Sequence, residues 1–297
     1  MEKPLQIVCF GEVLWDVFPG GEKIGGAPLN VALRLQSLGN EVTMISSVGK
    51  DERGKKLVDY MQSHGLNTDY IHLHQHHKTG EALIALGPKG NARYEFPSPC
   101  AWDEIAVSEA AKTQIKSADA FVYGSLGIRN IVSRENLLEA LSYAGYKVFD
   151  VNLRPPYYQK DYLIPLMEQA DFIKFNDEEL FEVGAYLDSR YHSLEQTLWY
   201  VAEKTNTKHA CVTKGRHGAV LLYNGQLYYN SGYHIKVADT VGAGDSFLAA
   251  LISSLLRQKP PQEAIDFACA TGALVAQSEG ANPDISLRDI EGFMYPG

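Results

Sequence analysis

Between the apolar runs Leu5–Phe10 and Val42–Ser47 lies Gly25-Gly26-Ala27-Pro28-Leu29-Asn30-Val31-Ala32-Leu33-Arg34-Leu35-Gln36-Ser37-Leu38-Gly39, a helix with its start and stop visible. Pro28 suits the first turn, Val31, Ala32, Leu35 and Leu38 share one face, and Gly39 ends the helix as a C′ glycine. Working outward, short β-branched runs recur at Leu5–Phe10, Val42–Ser47, Ala120–Tyr123, Lys147–Val151, Phe172–Phe175, His209–Thr213 and Val220–Tyr223. Most of them alternate with helical patterns. The alternation predicts an α/β fold, a mostly parallel sheet with helices on both faces.

From Tyr70 to Pro97 the rhythm changes. Tyr70-Ile71-His72-Leu73-His74 and Thr79-Gly80-Glu81-Ala82-Leu83-Ile84-Ala85-Leu86 alternate with no helix between them, which predicts antiparallel strands joined by Val13–Phe18 in a small second sheet. Such a sheet is too small to carry its own core and reads as a lid over a site. The expectation is a single domain over 1–297, with a β lid built from about 12–24 and 70–100.

The chain has 297 residues, 45% hydrophobic and 21% charged, enough to bury roughly 75% of its unfolded surface, so disordered, fibrous and disulfide-stapled classes are excluded. Lys+Arg 27 against Asp+Glu 36 gives a net charge of −9 with no long basic run, which argues against nucleic acid or an anionic membrane as partner. An anionic ligand must then be held by local groups. Cys9, Cys100, Cys211 and Cys269 form no C-x-x-C pair and read as buried thiols of a reducing compartment. Residues 1–10 lack a signal peptide's apolar core, so a cytoplasmic protein is expected. Phe247–Leu256 falls far short of the ~20 residues of a membrane span and reads as a core helix.

Asp239-Thr240-Val241-Gly242-Ala243-Gly244-Asp245 runs straight into the apolar helix Ser246–Leu256. Small residues ahead of a buried helix leave successive backbone N–H groups open, and with the helix dipole these form an anion site that needs no lysine. A carboxylate there would repel a merely bound phosphate. Asp245 makes sense as the acceptor of a proton from a hydroxyl attacking a phosphoryl group, ionised at pH 7 because a helix N-terminus favours the charged form. By contrast Gly49-Lys50-Asp51-Glu52-Arg53-Gly54-Lys55-Lys56 is no phosphate loop. Lys56 stands where a hydroxyl should hold magnesium, and two carboxylates occupy the cradle, so it reads as the charged start of an amphipathic helix.

Three clusters sit where strands should end. In Asp150-Val151-Asn152-Leu153-Arg154, period-two alternation puts the polar side chains on one side, at the edge where open α/β sheets bind ligands. Asn176-Asp177-Glu178-Glu179 begins a helix that Asn176 could cap, with Glu179 facing a hydrated Mg²⁺. Thr213-Lys214-Gly215-Arg216-His217-Gly218 joins two strands through glycines against which a nucleotide could lie. A cap or a tight turn explains each of these about as well. His72, His74, His76 and His77 have no Cys, Asp or Glu beside them in sequence and read as exposed lid residues, not a metal site.

Together, the glycine-pair helix and Asp-Thr-x-Gly-Ala-Gly-Asp resemble the two signatures of the ribokinase-like carbohydrate kinases, the PfkB family, over Gly11 to about Gly280. Gly11-Glu12-Val13-Leu14-Trp15-Asp16 and Gly25-Gly26-Ala27-Pro28 are most similar to those of bacterial fructokinases. The resemblance implies a Rossmann-like domain with a β lid, and ATP- and Mg²⁺-dependent phosphorylation of a sugar hydroxyl, fructose first among acceptors. It implies Asp245 as base, Gly242, Ala243 and Gly244 as anion hole, and Asp16, Gly26 and Asn30 as sugar ligands, beside which Arg154 of the strand-end cluster is expected to bind substrate. Asn176 and Glu179 match an Asn-x-x-Glu element near magnesium and phosphates, and Thr213, Gly215 and Gly218 a nucleotide loop. Some members also bind a monovalent cation such as K⁺ near the positions of Asp239 and Val241, and a homodimer through the lid is allowed. Other acceptors (ribose, 2-keto-3-deoxygluconate, fructose phosphate or a nucleoside held by Tyr94, Phe96 and Trp102) stay open, as does a non-catalytic sensor.

Overall fold

The computed structural model describes residues 3–86 and 92–295. Its strands are β1 Gln6–Phe10, β2 Leu14–Phe18, β3 Gly21–Gly25, β4 Glu41–Gly49, β5 Asn67–His74, β6 Gly80–Leu86, β7 Ala92–Glu95, β8 Ala120–Gly124, β9 Lys147–Asp150, β10 Phe172–Asn176, β11 His209–Thr213, β12 Ala219–Tyr223 and β13 Gln226–Asn230. The helices are α1 Ala27–Ser37, α2 Glu52–Ser63, α3 Glu109–Ser117, α4 Ile131–Leu141, α5 Lys160–Glu168, α6 Asp177–Tyr186, α7 Leu194–Lys204, α8 Ala243–Leu256, α9 Pro261–Ala276 and α10 Leu287–Met294.

Local chemistry accounts for many of the boundaries. Asp51 caps α2 by accepting from the Gly54 amide at 2.7 Å, as the charged-helix reading of that segment requires. Pro28 stands in the first turn of α1, and Gly39 takes φ +82 just beyond it, a conformation open to glycine at little strain.

Nine strands form the main sheet in the order β13-β12-β11-β10-β9-β8-β1-β4-β5. Pairing is parallel from β11 to β5, while β12 and β13 add antiparallel at one edge. Alternate residues of β1 enter opposite layers. Ile7 and Cys9 pack with α1, α2, α8, α9 and α10, while Val8 and Phe10 pack with α3 to α7. Helices thus cover both faces. The chain leaves β1 toward β4 on one side and returns to β8 on the other, a reversal that opens a crevice at the carboxyl ends of the strands.

The second sheet has the order β3-β2-β6-β7. It differs from expectation twice. Tyr70–His74 lies in β5, the edge strand of the main sheet, parallel to β4. And β2 runs parallel to β6, because the chain traverses β4, α2 and β5 between them and so returns in the same direction. Alternation along a strand reports one covered face and is blind to which sheet supplies the cover. Among the described residues no helix is long and apolar enough to cross a membrane.

Candidate active site

The carboxyl ends of β1, β8, β9, β10 and β11 open into a cavity of about 320 Å³, roofed by the small sheet. Asp16, Gly26, Asn30, Arg154, Asn176, Thr213, Val241, Gly242, Gly244 and Asp245 all line it. A second cavity, of about 780 Å³, is lined by Thr213, Gly215, Gly218, Ala243 and Cys269. The two meet at Thr213, Thr240 and Gly244. A ligand in one would therefore abut a ligand in the other across the turn at the start of α8.

That turn depends on Gly242. Its φ is +76, and a Cβ there would stand 2.5 Å from the Ala281 carbonyl oxygen, so a side chain is excluded twice over. Gly25 serves differently. A Cβ on it would collide with Asp16 Oδ2, so the glycine makes room for the carboxylate. Gly26, at φ +114, lets α1 start against the Glu12 backbone. In the Thr213–Gly218 loop, Gly215 has open space around it. The missing side chain of Gly218 instead admits the backbone of Asn230 and Gly232, a reason internal to the fold.

Four carboxyls, those of Glu12, Asp16, Asp150 and Asp245, share the first cavity with Arg154 and Lys174. Burial and the neighbouring Asp150 raise Asp245 to about 6, against the pull of Lys174, Asn30 and Arg154. Burial thus moves Asp245 opposite to the lowering expected of a helix N-terminus, while the group stays mostly ionised at pH 7 as expected. With that pKa, about nine-tenths of Asp245 is ionised at pH 7, and as a base it is stronger than an ordinary aspartate. Burial and Asp245 likewise lift Asp16 to about 6, opposed by Arg154 and Lys23, the latter its cross-strand neighbour. Burial lifts Glu12 to about 7, and its Oε2 is buried without a partner.

Asp150, Asn152 and Arg154 all face the cavity, though not by strand alternation. β9 ends at Asp150, and Asn152 adopts φ +36, so a left-handed turn does the aiming. Asn176 caps α6 as expected, accepting from the Glu179 amide at 2.8 Å. Glu179 turns back into the protein. It is buried, and its oxygens accept from the Leu153 amide at 2.9 Å and the Asn176 amide at 2.8 Å, tying the Arg154 loop to the end of β10. Asp239 is similarly engaged, accepting from the Val241 amide at 3.0 Å and the Gly280 amide at 3.2 Å.

Three residues of the site escaped the sequence reading. Lys174 sits inside the apolar strand β10 with its ammonium 3.0 Å from Asp150 Oδ1. Burial pulls its pKa down, but Asp150, Glu179 and Asp245 outweigh this and hold it at about 12. A lone lysine within Phe-Ile-Lys-Phe was the available signal, since buried charge without a partner is so costly. Glu12 stands two residues past the end of β1, an acid between two apolar runs. The third, Asn282, had no such signal, being 252 residues from its partner Asn30.

The histidines gather away from this site. His74 is buried, and Glu104, distant in sequence, lies 2.9 Å from His74 Nε2 and 3.3 Å from His77 Nε2. His74 Nδ1 accepts the amides of His76 and His77 at 3.1 and 2.8 Å, so its ring carries the proton on Nε2 and donates it to Glu104. A metal needs that nitrogen bare. The cluster is a tie between β5 and the 3₁₀ turn Ala101–Glu104. Trp102 is likewise unavailable to a ligand, being fully buried under Arg129, whose guanidinium lies 4.0 Å over its ring.

A family model for pfkB family carbohydrate kinases matches residues 5–287. The chain is similar to a fructokinase of Solanum tuberosum, 30% identical over 304 residues that span 93% of this chain and 91% of the relative. Its fold is similar to that of a Xylella fastidiosa fructokinase solved with bound ATP, at a TM-score of 0.84 and 24% identity over 97% of each chain. It is similar also to a fructokinase of Vibrio cholerae O395 solved with fructose, ADP and calcium, at a TM-score of 0.84 and 22% identity over 97% of this chain and 98% of that one.

Proposed function

The chain belongs to the pfkB family of carbohydrate kinases, and from that premise we propose that it transfers the γ-phosphate of ATP to a hydroxyl of D-fructose, giving fructose 6-phosphate. The observation that carries this is the meeting of two cavities at the Gly242–Gly244 turn with Asp245 beside it. In this reading the first cavity holds the sugar, the second holds ATP with Cys269 in its wall, and the small sheet acts as the lid.

The polarity of the first cavity favours a neutral acceptor. Glu12, Asp16 and Asp245 offer acceptors to sugar hydroxyls, and among the described lining residues Arg154 is the cation without a carboxylate bonded to it. A sugar phosphate would meet four acids there. The loss of Trp102 to the core weakens the nucleoside alternative. The fructose and ATP of the structural relatives named above support the same assignment.

The chemistry follows from the groups in place. Asp16, Asn30 and Arg154 orient the sugar, and the chosen hydroxyl oxygen attacks Pγ as the bond from Pγ to the bridging oxygen breaks and ADP leaves. The hydroxyl proton passes to Asp245. The Ala243 amide donates to the Thr240 carbonyl at 3.3 Å, so the amides of Gly242 and Gly244 are the ones that would stabilise the charge of the transferring group, which supplies more of the acceleration than the base does when the transition state is loose. Magnesium fits one donor in the cavity: Asp150 Oδ2 is buried without a partner and would hold the ion, while Glu179, whose oxygens are taken by the Leu153 and Asn176 amides, would contribute only by fixing the Arg154 loop. When bound, the ion neutralises phosphate charge. Asp239 and Val241 remain the proposed surroundings of a monovalent cation. A cytoplasmic location, supported by four free buried cysteines, and a homodimer through the lid belong to the same reading.

An ADP-release assay with Mg-ATP tests it across fructose, ribose, glucose, fructose 6-phosphate and adenosine. Fructose should give a kcat/KM at least about ten-fold above the others. Preference for another acceptor would replace the substrate, and no turnover with any would leave a binding protein.

A further inference from the structure

Asn282, in the segment between α9 and α10, touches the site through a chain of amides. Its Nδ2 donates to Asn30 Oδ1 at 2.7 Å, and Asn30 Nδ2 donates to Asp245 Oδ2 at 2.8 Å. The polarity of this chain is dictated from one end. An ionised carboxylate can accept but not donate, so Asn30 must present its NH₂ to Asp245, its oxygen is left toward Asn282, and Asn282 must present NH₂ in turn. Asn282 Oδ1 remains buried with no partner, so the residue is held for its donor at the expense of its acceptor.

The segment is fixed to the elements it serves. Buried Arg34 of α1 donates to the Pro283 carbonyl at 2.9 Å, to the Ile285 carbonyl at 3.4 Å and to Ser246 Oγ of α8 at 3.3 Å. Asn30 and Asp245 stand on these same two helices. A shift of the segment relative to the base is therefore resisted from both sides.

We propose that Asn282 is a positioning residue for phosphoryl transfer, holding the Asn30 amide in the one orientation that gives Asp245 a donor. A primary amide turned over exchanges its NH₂ for an oxygen of similar shape, so packing alone does not choose between the two. Without Asn282, Asn30 is free to aim its oxygen at the carboxylate. The proposal rests on Asp245 as the base. The other charged groups facing Asp245, namely Asp150, Lys174, Arg154, Glu12 and Asp16, are untouched by a change at Asn282.

The test compares N282L, which keeps the volume and removes the hydrogen bond, and N282D, which can only accept and draws the Asn30 NH₂ toward itself. For N282L, kcat at pH 7 should fall roughly ten-fold, the acidic limb of the kcat profile should move up, and the ATP KM should stay within about two-fold. N282D should be worse. In the N30A background the further effect of N282L should vanish, which a merely structural role would not produce. D245N, assayed alongside, separates the two ideas: wild-type turnover in D245N removes the base. A nearly inactive D245N beside N282L and N282D with wild-type kcat and acidic limb overturns the role of Asn282, as does an equal loss with and without Asn30. Circular dichroism confirms folding, and if N282L does not fold the isosteric N282D carries the comparison.

Discussion

Replacing Asp245 by asparagine should have two opposite effects, loss of turnover and gain of stability. The folded protein holds this carboxyl at about 6, against about 3.9 in an unfolded chain. A raised acid pKa means that the folded state binds the proton more tightly. Ionisation therefore works against folding, by nothing below the unfolded value, increasingly between about pH 4 and 6, and in full above that. Two pK units correspond to about 3 kcal/mol, and water in the open cavity screens part of this, so roughly 1–3 kcal/mol is expected. Asparagine keeps the shape and can still meet Asn30. In a chain of this size each kcal/mol is worth roughly 2 °C, so melting of the unliganded D245N near pH 7.5 should come about 2–6 °C higher than wild type. The gain should shrink near pH 5, where wild-type Asp245 is largely protonated. In ADP release, kcat should fall roughly 10²- to 10⁴-fold with a far smaller effect on ATP binding. A variant less stable than wild type at neutral pH, or equally stabilised at both pH values, refutes the desolvation argument, and a kcat within a few-fold of wild type refutes the base.

Two further outcomes follow from neighbouring contacts. Asp16→Ala should raise the sugar KM about ten-fold or more while leaving the ATP KM within about two-fold, and an unchanged sugar KM takes Asp16 out of the site. Arg129→Met should lower stability by roughly 3–5 kcal/mol in a denaturant titration, because it strands a buried Asp103. Arg129 also donates to the carbonyls of Phe96 and Pro97 at 2.7 and 2.9 Å, so the wall of the first cavity should loosen and the sugar KM rise as well.

Much of the site could be read because its signals are local. The cap at Asn176, the stop at Gly39 and the small residues before α8 each act within a turn or two, and backbone sterics and nearby hydrogen bonds fix them whatever the rest of the chain does. Glu179 marks the limit of that reading. Its spacing from Asn176 was plain, but its burial against the Leu153 amide depends on where β9 lies beside β10.

The sequence by itself determined the alternation of strands and helices, the glycine turn at Gly242–Gly244 and the identity of Asp245 as its acid. Period and turn chemistry are properties of neighbouring residues. Tertiary structure decided the rest. It assigned Tyr70–His74 to the main sheet and turned β6 parallel to β2, since one alternating pattern suits either sheet. It also joined Glu104 to His74 and Asn282 to Asn30. Above all it set the protonation of the site. A carboxyl's pKa depends on the water it loses and the charges it meets, and these belong to the cavity that distant strands enclose.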